Sequence, residues 1–209
     1  MINIIIKNEI NKFFTSDTHL GHKKVLNIQD RGKYFKSLEE HDRYILDRIN
    51  SLVKKGDELY ILGDFAFYNL LEYRKKIKCS NVKFIRGNHD VVSKLRKASQ
   101  IGKYDENLDT YEKPPSDYFL RDIFQTKIKG HRTTLCHYPM VSWPASNYGS
   151  FLLFGHEHSN TNILDKIHLN RRCLDVGIDM AKILLGEYDP FSEDFIYKHL
   201  IKKTIHQIG

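Results

Sequence analysis

Five short apolar runs in this chain each end in residues that can bind a metal. Phe13-Phe14-Thr15-Ser16 leads into Asp17-Thr18-His19, and Leu59-Tyr60-Ile61-Leu62 into Gly63-Asp64. Val82-Lys83-Phe84-Ile85 precedes Gly87-Asn88-His89-Asp90, Thr133 to Cys136 leads into His137, and Phe151-Leu152-Leu153-Phe154 into Gly155-His156-Glu157-His158. Runs this short and apolar, closed by Gly-Asp or Gly-Asn, read as buried strands ending in functional loops. In an open α/β sheet, ligands collect beyond the carboxyl ends of the strands, so residues far apart in sequence converge there. The converging set is Asp17, His19, Asp64, Asn88, His89, His137, His156 and His158. Its donors are oxygen and imidazole without thiolate, which suits two divalent ions such as manganese, iron or zinc better than magnesium or calcium.

The intervening segments supply helices. Ser37 followed by Glu40 is a capping box, and Leu38, Ile45, Ile49 and Leu52 recur at helical spacing, predicting a helix over 37–55 that Gly56 ends. Residues 69–78 read as a second helix, and Asp90 as the N-cap of a third over 91–98. The second half turns to strands: 119–129, 133–136 across a Gly130-His131 turn, 151–154 and 172–176. A final helix from Ser192 to about Lys203 has Glu193 and Asp194 in its first turn and Lys202-Lys203 at its end, matching the helix dipole. Residues 102–116, with Pro114-Pro115, read as a surface loop. No repeat, low-complexity tract or linker interrupts the 209 residues, which predicts one α/β domain over 1–209.

The apolar fraction of 41% is enough for one sizeable core. A net charge of +7 suits anionic partners such as phosphates or nucleic acid, and equally a basic solvated surface. Dispersed charge without a helix-turn-helix or RNA-binding signature argues against a dedicated nucleic-acid binder. Cys79, Cys136 and Cys173 are odd in number and widely spaced, fitting neither a disulfide framework nor a CxxC metal site. The longest apolar run near the start, Ile4-Ile5-Ile6, is too short for a signal-peptide core or a membrane span. The expectation is a soluble, cytoplasmic protein without an obligate protein partner.

The series Asp17-x-His19, Gly63-Asp64, Gly87-Asn88-His89-Asp90, His137 and Gly155-His156-x-His158 resembles the calcineurin-like metallophosphoesterases, with all five blocks in order. Asp175-Val176-Gly177-Ile178-Asp179 through Tyr188-x-Pro190 is similar to the end of small stand-alone bacterial and phage members. The resemblance implies a four-layer α/β/β/α sandwich and a dinuclear site. It places Asp17, His19, Asp64 and His158 on one ion, and Asp64, Asn88, His137 and His156 on the other. Asp64 bridges, and His89 stabilises or protonates the departing oxygen. Two ions about 3.5 to 4 Å apart can clamp a phosphoryl group and deliver a bridging hydroxide in line with the leaving group. Manganese is the first choice, with iron, zinc or nickel as alternatives, because availability decides for such ligands.

The implied activity is hydrolysis of phosphate esters, foremost a phosphodiester of nucleotide type or a nucleic-acid end. The alternatives are a nucleotide or protein phosphomonoesterase and a catalytically silent metal-binding scaffold. His22 and Arg31 are candidate substrate contacts, each weighed against a solvated loop or surface residue. Trp143 reads as loop packing or a stacking surface for a base, Arg74-Lys75-Lys76 as an exposed helix face, and Arg171-Arg172 as uninformative. His41, His131, His168, His199 and His206 read as surface or satisfied core residues.

Overall fold

The computed structural model describes residues 10–99, 104–105, 110–111, 120–160 and 171–205. Two sheets face each other. The first has β1 (Lys12–Thr15), β2 (Glu58–Leu62) and β3 (Asn81–Ile85) parallel and adjacent. Next to β3 lies β6 (Leu120–Arg121), and β11 (Phe191–Ser192) runs antiparallel along β1. In the second sheet β7 (Ile123–Ile128) and β8 (His131–Cys136) form a hairpin, with β9 (Phe151–Phe154) and β10 (Cys173–Asp175) added in parallel. Lys129 and Gly130 both have positive φ, +45° and +84°, the handedness that matches a two-residue hairpin to twisted strands.

The period of two along the strands explains the layers. Leu59 and Ile61 of β2, with Val82 and Phe84 of β3, face the helix α2 (Leu38–Leu52) through Ile45 and Ile49. Phe14, Tyr60, Leu62 and Ile85 point the other way, into a core shared with Ile128, Leu135, Phe151, Leu153 and Leu174 of the second sheet. In register across β1 and β2, Phe14 and Tyr60 stack with centroids 5.0 Å apart. On the outer face of the second sheet, Leu152, Phe154 and Cys173 are covered by Trp143 and Met140. Trp143 is therefore packing: its Nε1 donates to Ser150 O at 3.2 Å, and the Arg171 guanidinium lies 4.4 Å from its ring centroid.

The shorter helices are α1 (Arg31–Tyr34), α3 (Leu70–Lys75), α4 (Val92–Ser99), α5 (Ile178–Leu185) and α6 (Glu193–Leu200). Ser37 caps α2 by accepting from Glu40 N, while the Glu40 carboxylate accepts from Lys36 N. Ser192 caps α6 in the same way through Phe195 N.

Several expectations need correction. The strand expected over 119–129 is two strands in different sheets, with Asp122 between them, because side-chain composition carries no mark of a change of pairing partner. α2 stops at Leu52, before Gly56, where Asp57 accepts from the backbone of Lys54 and Asn11 and turns the chain into β2. Within 102–116, β4 (Tyr104–Asp105) pairs with β5 (Thr110–Tyr111) as a small hairpin. Arg74 is buried, not on an exposed face, and donates to Ile77 O and Ser80 O beyond the end of α3. Ile4-Ile5-Ile6, His168 and His206 lie outside the described residues. Among those described, no helix is long and apolar enough to cross a membrane.

Candidate metal centre

The residues of the converging set sit one to four positions beyond the ends of β1, β2, β3, β8 and β9, on one edge of the facing sheets. The turns that place them are strained. Asp17, His19, Asp64, His156 and His158 have φ between +49° and +75°, a region that non-glycine residues seldom occupy. Such outliers persist where the surroundings enforce them, and they gather at functional sites. Backbone bonds do the enforcing: Asp17 N donates to Gly63 O, His19 N to Asp64 O, and Gly155 N to His137 O.

Three glycines let the strand ends approach. A Cβ on Gly155 would lie 2.4 Å from Asp17 Oδ2, one on Gly87 2.2 Å from Asp64 Oδ1, and one on Gly63 2.4 Å from His137 Nδ1. Each of these close contacts is with a predicted ligand.

The side chains form two clusters. In the first, His19 Nε2 and His158 Nε2 are 3.2 Å apart, and Asp17 Oδ1 is 3.9 Å from each. Asp64 Oδ2 lies 3.8 Å from His19 Nε2 and 3.7 Å from His137 Nε2, so one oxygen faces both clusters. In the second, Asn88 Oδ1 is 2.9 Å from His137 Nε2 and 3.0 Å from His156 Nδ1. Asp17, His19 and His158, and separately Asp17, Asp64 and His137, bring their donor atoms within 4.8 Å of one another.

The donor chemistry fits cations at both places. His137 Nδ1 lies 2.7 Å from Leu62 O, a carbonyl that only accepts, so Nδ1 carries the proton and Nε2 its lone pair. In the neutral ring that lone pair faces the oxygens of Asn88 and Asp64. Asp17 Oδ1 is buried and has no hydrogen-bond partner. With only the chain's own charges present, burial pushes the Asp17 carboxyl up to about 7, opposed by His158. Burial, with Arg31 and the neighbouring histidines, drives His19 down to about 2, which keeps its imidazole neutral and able to ligate. A buried carboxylate beside lone-pair nitrogens is costly until a cation arrives.

The remaining predicted residues separate. His89 is exposed on the β3–α4 loop; its backbone N donates to Asp64 Oδ1 at 3.0 Å, and its ring centroid lies 6.0 Å from that of His19. His22 is half-buried beside it, stacked on Phe67 at 4.1 Å. Arg31 is a correction: it is fully buried and paired with Asp179, so it is an interior ion pair and not a substrate contact. Asp90 is another. Its carboxylate accepts from Gly87 N, Asp64 N and Phe65 N, tying two site loops together in place of capping α4.

Sequence reasoning missed Phe67, whose ring lies between those of His22 and His89, and Tyr138, 4.9 Å from the His156 ring. It also gave no role to Asp175, the last residue of β10, or to Asp179, in the first turn of α5. Asp175 accepts from Ser159 N and Gly177 N, and Asp179 Oδ2 accepts from His158 Nδ1 at 2.8 Å.

The Gene 66 protein of Mycobacterium phage L5 is 28% identical over 187 residues, covering 81% of this chain and 86% of that protein. MJ1445 of Methanocaldococcus jannaschii is 26% identical over 198 residues, 91% of each chain. Among solved structures, the Aquifex aeolicus protein AQ665 shares the fold, with a TM-score of 0.63 and 23% identity over 91% of this chain and all of that one. The family model for calcineurin-like phosphoesterases matches residues 13–199. The chain belongs to the calcineurin-like phosphoesterase family.

Proposed function

We propose that this protein is a two-metal phosphoesterase whose preferred substrates are phosphodiesters of nucleotide type. The supporting observation is the pair of donor clusters joined by Asp64 Oδ2. Asp17, His19, His158 and Asp64 would hold one ion, and Asp64, Asn88, His137 and His156 the other. When bound, such ions neutralise phosphoryl oxygens and acidify water, in keeping with a hydrolase of phosphate esters.

The chain's own groups do the rest. Asn88 contributes an oxygen without charge, which leaves a net positive potential to draw in phosphate. His89 stands on the solvent side of the first cluster, placed by its backbone bond to Asp64, and supplies a proton to the departing oxygen. His22, across Phe67 from His89, is a second imidazole facing the ester. Asn88 and His89 are exposed, so the entrance admits an ester with substituents on both sides, and the +7 charge favours polyanionic substrates. Buried thiols and the lack of a disulfide framework support a reducing compartment, the cytoplasm.

The test compares bis-p-nitrophenyl phosphate with p-nitrophenyl phosphate, then cyclic and linear nucleotides, under manganese and other divalent ions. Diester hydrolysis should exceed monoester hydrolysis and disappear on chelation. Activity undiminished by thorough chelation would refute the two-metal reading, and a monoester preference would turn the assignment to a phosphatase. His89→Ala should lower kcat about 10²-fold or more with both ions retained.

A further inference from the structure

Arg31 and Asp179 are 148 positions apart in sequence and meet in the interior. Arg31 Nε donates to Asp179 Oδ1 at 2.8 Å and Nη2 to Oδ2 at 2.7 Å; Nη2 also reaches Asp17 O at 2.8 Å. The same Asp179 Oδ2 accepts from His158 Nδ1 at 2.8 Å. A carboxylate held in this way only accepts, so the proton of the neutral His158 ring is on Nδ1 and the lone pair on Nε2, which faces His19 and Asp17. A fully buried ion pair is weak support for stability, because desolvating both charges offsets their attraction. What this pair does is fix one carboxylate from behind, and the carboxylate fixes the imidazole.

The second cluster is supported differently. Its His137 is backed by the neutral carbonyl of Leu62, its His156 is half-exposed, and its Asn88 carries no charge. The first cluster holds a carboxylate of its own, Asp17, and a histidine backed by a second carboxylate.

We infer that Asp179 and Arg31 are positioning residues for His158, and that they make the cluster of Asp17, His19 and His158 the tighter of two cation sites. The inference rests on the two-metal reading. Carboxylates behind ligating histidines raise ligand basicity, and their loss typically weakens metal binding by about 10- to 100-fold.

The test is calorimetric titration of the metal-stripped full chain with manganese chloride. The wild type should bind two ions with unequal affinity. In Asp179→Asn the amide NH₂ must face a donor in either orientation, from Arg31 or from His158. The tighter event should weaken about 10- to 100-fold while the weaker one stays. Arg31→Met should shift it in the same direction. Nitrogen-15 spectra of the His158 ring in the metal-free wild type should show a protonated Nδ1, and this measurement decides the question if the variants do not fold. Unchanged manganese affinity in folded Asp179→Asn, or a ring without a proton on Nδ1, would overturn the inference alone. A wild type that binds no manganese would overturn the two-metal reading beneath it.

Discussion

Adding one methyl group at Gly155 tests how closely the strand ends must approach. The Cβ of Gly155→Ala would lie 2.1 Å from Ser16 Oγ and 2.4 Å from Asp17 Oδ2, where 3.4 Å is ordinary contact. Neither neighbour can yield freely. Ser16 is fully buried with Oγ bonded to Leu62 O at 2.8 Å, and Asp17 Oδ2 accepts from His156 N at 2.9 Å. Relief therefore needs a shift of about 1 Å in the Asp17 carboxylate or in the β9 loop. Overpacking of this kind costs about 1–3 kcal/mol, which in a chain of this size lowers Tm by about 2–4 °C per kcal/mol. A displacement of about 1 Å in a catalytic constellation can slow a reaction about 10²-fold. The backbone of Gly155 is not in the left-handed region, so crowding alone is tested. Gly56 is the control, since a Cβ there meets nothing within 4 Å; Gly56→Ala should leave activity unchanged. Differential scanning fluorimetry with and without manganese, together with diester turnover, reads the effect. Wild-type turnover and wild-type manganese stabilisation in Gly155→Ala would refute the reasoning.

Asp90→Ala leaves the amides of Asp64, Phe65 and Gly87 without their acceptor and should cost about 1–3 kcal/mol in urea denaturation, with Asp90→Asn milder. Burial alone would raise the Asp179 carboxyl, but the Arg31 guanidinium overcomes it and holds the group at about 2, below the ordinary value. The fold therefore favours the ionised over the protonated carboxyl by about 2–3 kcal/mol, a difference present above about pH 4 and lost as pH falls through 2. The gap in urea midpoint between wild type and Asp179→Asn should therefore narrow as pH is lowered from 5, and a constant gap would contradict this. Arg48 and Asp189 are bonded at 2.6 and 2.8 Å but partly exposed, so Arg48→Ala should cost less than about 1 kcal/mol in the same assay.

The sequence made the strand ends legible because each apolar run is short, is mostly buried, and stops within three residues of a metal-capable side chain. β2, β3 and β9 fall where those runs lie, and Asp64, Asn88, His156 and His158 after them join the two clusters as the α/β convergence rule requires. What lay hidden were polar residues whose partners are distant. Arg31 has the composition of a surface residue, and nothing local to it reveals a carboxylate at position 179. Arg74 differs from its neighbours Lys75 and Lys76 only because two carbonyls downstream need a donor. Asp90 precedes a helix and resembles a cap, yet the loops of Asp64 and Gly87 present amides to it first. The sheet change at Asp122 was unreadable for a related reason, since it consists in β6 pairing with β3 while β7 pairs with β8.

The division of labour between the two sheets bears on the order of events in folding. Asp17, His19, Asp64 and Asn88 come from the first sheet, and His137, His156 and His158 from the second, so each cluster draws on both. Neither sheet alone offers a complete cage, and a divalent ion held there would act as a clasp across the seam, captured only after the layers have docked. Such an ion should leave the refolding rate nearly unchanged and slow unfolding, turning modest affinity into long native-state lifetimes.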